Sequence, residues 1–167
     1  MMRLVRALVL SVAALALVAG CSSSPGAVSS SSPPSGADSL SFSSTTLDGA
    51  PFDGKSLAGK PVVMWFWAPW CPTCNAEAPG VARIAAQHPG VTFIGVAALD
   101  QVPAMKAFQA RYGLNFTQLA DTDTSVWRHF GVTQQPAYAF IAPSGAVQVV
   151  KNGLSEEDLT QRLSNLT

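Results

Sequence analysis

The sequence is short of ligands and of net charge. Its 167 residues include only three cysteines and two histidines, and ten Lys and Arg are matched by ten Asp and Glu. Without an excess of positive charge there is no basic patch for nucleic acid, and setting aside Arg3 and Arg6 with the N-terminal segment leaves eight basic residues against ten acidic. A zinc or copper centre is disfavoured too, because beyond the cysteines only His88 and His129 remain, at spacings unlike a finger or ribbon. His129, in VWRHFG, reads instead as a partly exposed helix residue. No phosphate loop, dinucleotide fingerprint or internal repeat occurs. The N-terminal apolar run, Ala7 to Ala19, is shorter than the roughly 20 residues that span a bilayer. What remains is a chain that is 48% hydrophobic and long enough for one domain with a packed core.

Two of the three cysteines stand three residues apart, in Trp65 to Cys74, WFWAPWCPTC. By spacing alone they could be a redox switch, half of a metal site, or chance, so the flanking sequence has to decide. The third, Cys21, follows two arginines, the apolar run and a stretch of small residues, which together read as a secretory signal over residues 1–20. Val18-Ala19-Gly20-Cys21 resembles the lipobox of bacterial lipoproteins, and the resemblance implies cleavage before Cys21 and lipid on its sulfur. A retained anchor and a plain secreted protein are the alternatives. A lipidated Cys21 would leave an even pair, Cys71 and Cys74, outside the reducing cytosol.

From Ser22 to Gly36, 13 of 15 residues are Ser, Pro or Gly, too little apolar surface to offset chain entropy. Residues 21–38 are therefore predicted to be a lipidated cysteine and its tether, with a reach of roughly 20 Å, and residues 39–167 the folded domain. Asp48-Gly49, Asp53-Gly54 and Gly59 break the segment 40–60 into a hairpin of edge strands. PVVMWFWA then reads as a strand buried on both faces. A helix follows, with Pro72 at its first position, Ala76, Ala78, Val81, Ile84 and Ala85 on its apolar face, and Pro79 as a source of kinking. Further on come a strand (91–99), a helix ending at Gly113, a short strand (116–121), a helix over 123–131 and two strands turning at Ser144-Gly145. A final helix is capped by Ser155, with Glu156, Glu157 and Asp158 in its first turn. This order implies an α/β fold, a mixed sheet with helices on both faces.

The buried strand feeds Cys71 straight into a helix start, so Cys71 is expected at or near the N-cap. There the free N–H groups and the positive end of the helix dipole favour an anion by about 0.3–1 kcal/mol, and up to about 2 when partly buried. Cys71 is expected to ionise below the roughly 8.5 of a free cysteine. Cys74, one turn further in and more buried, is close enough to close a disulfide. Cys71 is then the exchanging sulfur and Cys74 the resolving one. Glu77, a turn beyond Cys74, is either a proton donor and acceptor for that thiol or a solvated helix residue.

FWAPWCPTC, Pro79 and the later TQQPAYAF together resemble the thioredoxin fold from about Ser39 to Leu166. Within it, C-x-x-C-x-x-E-x-P, at Cys71, Cys74, Glu77 and Pro79, and the inserted helix and strand between Val102 and Ala120 are similar to the exported TlpA, ResA and CcmG branch, most of all its actinobacterial DsbE/DsbF-like lipoproteins. The resemblance implies a central mixed sheet flanked by helices with an N-terminal hairpin, and thiol–disulfide exchange with no cofactor beyond the cysteine pair. It also implies a cis Pro136 facing the disulfide, with Gln135 offering backbone groups to an extended substrate. Without the resemblance, a trans proline opening a strand would be the default, since only about 5–6% of X-Pro bonds are cis. Trp70, Pro72 and Thr73 would flank the substrate, with Trp70 shielding the disulfide. Trp65 stands where many thioredoxins bury an aspartate, and Trp65 and Trp67 are expected in the core.

A peroxiredoxin would place Thr or Ser where Ala68 stands, and a non-catalytic binding module would have lost a cysteine or the Pro136 segment. The direction of exchange stays open. Cys-Pro-Thr-Cys resembles the CcmG dipeptide and favours reduction of oxidised thiols in cytochrome c maturation. The wider resemblance favours oxidation, a disulfide introduced into exported proteins, and this is the preferred expectation. The implied partners are exported proteins bearing thiols or disulfides, a membrane redox partner that recycles the pair, and the membrane itself through Cys21.

Overall fold

The computed structural model describes residues 36–166. The signal segment, Cys21 and most of the tether lie outside them. The described chain opens with a 3-10 turn over Gly36–Leu40, in which Ser39 Oγ donates to Gly36 O at 2.8 Å. The elements that follow are β1 (Ser43–Thr45), β2 (Pro51–Asp53), β3 (Val62–Trp67), α1 (Pro72–Gln87), β4 (Thr92–Ala97), α2 (Val102–Tyr112), β5 (Thr117–Ala120), α3 (Ser125–His129), β6 (Ala137–Ile141), β7 (Val147–Val150) and α4 (Glu156–Ser164).

The main sheet has the order β5-β4-β3-β6-β7, with β3, β4 and β5 parallel and β6 and β7 antiparallel to their neighbours. Central β3 is fully buried along its length, as its unbroken apolar run requires. Its alternating side chains serve two cores. Val63, Trp65 and Trp67 pack with Ala78, Val81 and Ile84 of α1, Met105 and Phe108 of α2, and Leu159 and Leu163 of α4. Val62, Met64 and Phe66 pack on the other side with Val126 and Trp127 of α3 and with Phe130. A side chain of this size contributes about 1.5–3 kcal/mol on full burial, so this one strand holds both layers to the sheet.

The expected N-terminal hairpin forms. β1 and β2 make a separate two-stranded sheet, attached to β5 by the Thr46–Leu119 bridge and the bond from Leu47 N–H to Gln118 O at 2.9 Å. Each of its strands is three residues long and only its middle residue is even half-buried, which is too little to extend the main ladder.

The helix ends follow their sequence signals. Pro72 opens α1, which runs through Pro79 to Gln87. Gly113, at φ 60°, closes α2 in the left-handed region that glycine enters without penalty. Ser155 Oγ accepts from Asp158 N–H at 3.1 Å to cap α4. α3 is the exception, because its cap comes from outside the helix. The Asp121 carboxylate accepts from Val126 N–H (3.0 Å), Trp127 N–H (2.9 Å) and Ser125 Oγ (3.2 Å).

Candidate active site

β3 ends at Trp67, and Ala68, Pro69 and Trp70 carry the chain to Cys71, which caps α1 with extended backbone (φ −73°, ψ 117°). Cys71 and Cys74 are joined as a disulfide with their Cα atoms 5.2 Å apart. Cys71 is 4% exposed and Cys74 is wholly buried, so the N-terminal sulfur is the one nearer solvent. The Cys74 N–H donates to Cys71 Sγ at 3.1 Å. A free donor of the first helical turn is thus aimed at the sulfur that carries charge once the disulfide opens, in the arrangement that lowers a thiol's pKa.

Around this pair, Pro72 and Thr73 are exposed. Trp70 is 56% exposed, and its indole Nε1 donates to Leu99 O at 2.9 Å. Leu99 is itself 46% exposed and held at φ 61°, unusual for a non-glycine residue. These two are the exposed large apolar side chains among the described residues. The Gln135–Pro136 bond is cis. β6 begins with Ala137 opposite Phe66, which brings buried Pro136 to the end of β3 from which the cysteine turn departs. Gln135 is partly exposed beside it, and Gln134 Nε2 ties this loop to Lys151 O at 2.7 Å.

Glu77 is half-buried and built in, which rules out the solvated alternative. Its Oε2 accepts from Tyr138 Oη (2.9 Å) and its Oε1 from Leu154 N–H (2.7 Å), so its hydrogen bonds go to β6 and to the segment before α4 rather than to either sulfur. Burial pushes its carboxyl above the usual carboxylate range. Tyr138, Leu154 and the Trp65 indole oppose that shift without cancelling it, and the buried Trp65 N–H acts from outside hydrogen-bonding geometry. Burial, and then the Glu77 charge, raise the Tyr138 phenol in turn. Gly153 leaves room for this carboxylate, since a Cβ there would collide with Glu77 Oε1.

Trp65 and Trp67 are both fully buried, as expected. Trp67 Nε1 donates to Gln118 Oε1 at 3.1 Å, and the buried Gln118 amide donates to Phe116 O at 3.2 Å. Gly95, opposite Gln118 on β4, is the residue whose missing side chain admits that amide. Each histidine already has a backbone partner, His88 with Ile84 O one turn back and His129 with the distant Ser39 O. Among the described residues no cluster of three or more His, Cys, Asp or Glu could hold a metal ion.

Tyr138, Gln118, Asn75 and Tyr112 support this site and were not singled out by the sequence. A polar residue inside an apolar strand, such as Gln118 in TQLA, was the one available signal.

The redoxin family model matches residues 32–166. The soluble secreted antigen MPT53 of Mycobacterium tuberculosis is 45% identical over 157 residues, covering 92% of this chain and 87% of its own. The thiol-disulfide oxidoreductase ResA of Bacillus subtilis is 30% identical, covering 78% of this chain and 74% of its own. Among solved structures, MTB DsbF superposes with a TM-score of 0.77 at 60% identity, covering 81% of this chain and all of that one. A secreted Mycobacterium tuberculosis disulfide oxidoreductase homologous to E. coli DsbE superposes with a TM-score of 0.74 at 48% identity, covering 76% and 97%. Together with a disulfide at the N-terminus of α1 and a cis proline at the end of the adjacent strand, they show that the chain belongs to the redoxin family and is a thioredoxin-fold thiol–disulfide oxidoreductase whose redox group is its own Cys71–Cys74 pair.

Proposed function

We propose that the chain is an exported, lipid-anchored oxidant that introduces disulfides into exported proteins. The observation that carries this reading is the hydrogen bond from Cys74 N–H to Cys71 Sγ at the cap of α1. The more the Cys71 thiolate is stabilised, the more the dithiol is favoured and the stronger an oxidant the disulfide becomes. Export is supported by the N-terminal signal pattern and by relatives described as secreted. The lipid on Cys21 rests on Val18-Ala19-Gly20-Cys21, and the Ser/Pro/Gly-rich segment that follows, up to the 3-10 turn at Gly36–Leu40, acts as its tether.

A substrate segment lies against Trp70, Pro72 and Thr73 and pairs with the backbone at Gln135, beside Pro136. A substrate thiolate attacks Cys71 Sγ. The Cys71–Cys74 bond breaks, and its electron pair leaves on Cys74 Sγ, which takes a proton with Glu77 as the nearby carboxyl donor. The substrate's second thiolate then attacks the substrate sulfur of the mixed disulfide and expels Cys71 as a thiolate held by Cys74 N–H. Two electrons have passed from the substrate dithiol to the pair, and a membrane protein with its own disulfide takes them up again.

The reductase reading, in which the reduced pair passes two electrons to the disulfide of the haem-binding CxxC of apocytochrome c or to other oxidised thiols, draws on the ResA relative and on the half-buried Glu77. The reduction potential separates the two. Equilibrating the soluble domain in thiol–disulfide buffers, with Trp70 fluorescence and thiol alkylation as readouts, is expected to give about −120 to −180 mV. A value near or below about −270 mV would overturn the oxidase reading in favour of the reductase.

A further inference from the structure

We propose that Asn75 and Tyr112 form a positioning pair through which the inserted helix α2 sets the reactivity of Cys71. This rests on thiol–disulfide exchange and not on its direction. Asn75 Nδ2 donates to Pro69 O at 3.0 Å and to Cys71 O at 2.8 Å, the two carbonyls that bracket Trp70 in the turn presenting the redox pair. Its Oδ1 accepts from Tyr112 Oη at 2.7 Å. The orientation of the amide follows from its surroundings, because turned over it would set an oxygen against both carbonyls. Asn75 has no helix propensity to recommend it in the first turn of α1, and its amide is engaged instead by the turn before the helix through Nδ2 and by α2 through Oδ1.

Tyr112 comes from the last turn of α2 and is anchored there. Its ring meets Phe108 edge-on at 4.7 Å, and Phe108 in turn stacks on Trp67 at 4.3 Å. α2 therefore grips both ends of the cysteine turn, by aromatic packing at Trp67 and by the Tyr112–Asn75 bond beyond Cys71. The Cys71 carbonyl that Asn75 Nδ2 holds also accepts the first helical bond, from Asn75 N–H at 3.0 Å. Fixing that carbonyl fixes the peptide planes of the first turn, and with them the line from Cys74 N–H to Cys71 Sγ. Without the clamp the turn relaxes, and the thiolate loses part of its donor. Neither side chain touches the sulfur, so both act through the backbone.

The test is the Cys71 pKa of the reduced protein, from the pH dependence of its alkylation, in the wild type, Asn75→Ala, Tyr112→Phe and the double variant. Tyr112→Phe keeps the ring on Phe108 and removes only the hydroxyl. Asn75→Ala is expected to raise the Cys71 pKa by about half to one unit, a threefold to tenfold loss of thiolate below the pKa. Tyr112→Phe is expected to raise it by less, and to add nothing once Asn75 is gone. Thermal unfolding run alongside separates positioning from bulk stability. A pKa unchanged in both single variants while the melting temperature falls would overturn the proposal, as would fully additive shifts in the double variant. If Asn75→Ala fails to fold, Tyr112→Phe decides alone. A wild-type pair that does not exchange with glutathione would instead sink the oxidoreductase reading, a result separate from any shift among the variants.

Discussion

Asp121 and Glu77 are both carboxylates taken out of water, and burial raises the pKa of each. Asp121 serves the layer around α3, where its oxygens take two backbone N–H groups and a hydroxyl that α3 would otherwise leave open. Glu77 serves the layer around α1, one turn beyond Cys74, with a phenol, one N–H and an indole outside bonding geometry for company. The difference lies in the donors. Two fixed backbone donors and a hydroxyl make a carboxylate part of the scaffold, whereas a phenol and a single backbone N–H leave it able to change protonation during a reaction. The same division runs along β3. One row of side chains meets mainly apolar partners, and the other, with Trp65 and Trp67, meets Glu77, Gln118 and the cysteines.

Breaking the redox side should have the largest effect and leave the scaffold intact. Cys74→Ser should abolish turnover and trap substrates on Cys71 as mixed disulfides, visible under non-reducing electrophoresis, while circular dichroism stays unchanged. Breaking the scaffold side should do the reverse. Asp121→Ala orphans two buried N–H groups at about 1–3 kcal/mol each, so denaturant unfolding should show a loss of about 2–6 kcal/mol with the reduction potential unmoved. Glu77→Gln should sharpen the contrast, lowering turnover about tenfold or more at little cost in stability.

The pH dependence carries the same contrast. Each carboxyl binds its proton more tightly folded than unfolded. Their contribution is therefore fully present below the ordinary carboxylate range and is lost as pH rises through the raised folded values. Denaturant unfolding across that window should show stability falling in the wild type and falling less in Glu77→Gln. The smallest effect is expected of Trp70→Phe, which removes the exposed bond to Leu99 O. It should cost under about 1 kcal/mol by thermal unfolding, with substrate affinity altered more than the rate of the chemical steps.

Much of this was legible in the sequence because it is local. The central strand, Cys71 as a cap with Pro72 behind it, the stop at Gly113 and the Ser155 cap each follow from neighbours a few residues apart. The cis bond before Pro136 came from the family resemblance, and the structure bears it out. What escaped is long-range. Tyr138 reaches Glu77 across 61 positions and Tyr112 reaches Asn75 across 37, and no local pattern marks either pair. Asp121 looked like the end of a strand because its role depends on where α3 lands. The hairpin was legible too, although alternation shows only that a segment can pair and not which sheet it joins.

The central claim is that the N-terminus of α1 holds Cys71 as a stabilised thiolate when the pair is reduced. The direct measurement is the Cys71 pKa in the reduced soluble domain, followed by thiolate absorbance during pH titration with Cys74→Ser as the control that isolates one sulfur. The account predicts a value well below the roughly 8.5 of a free cysteine. A value at or above it would contradict the reading of the Cys74 N–H as the donor that makes this disulfide an oxidant.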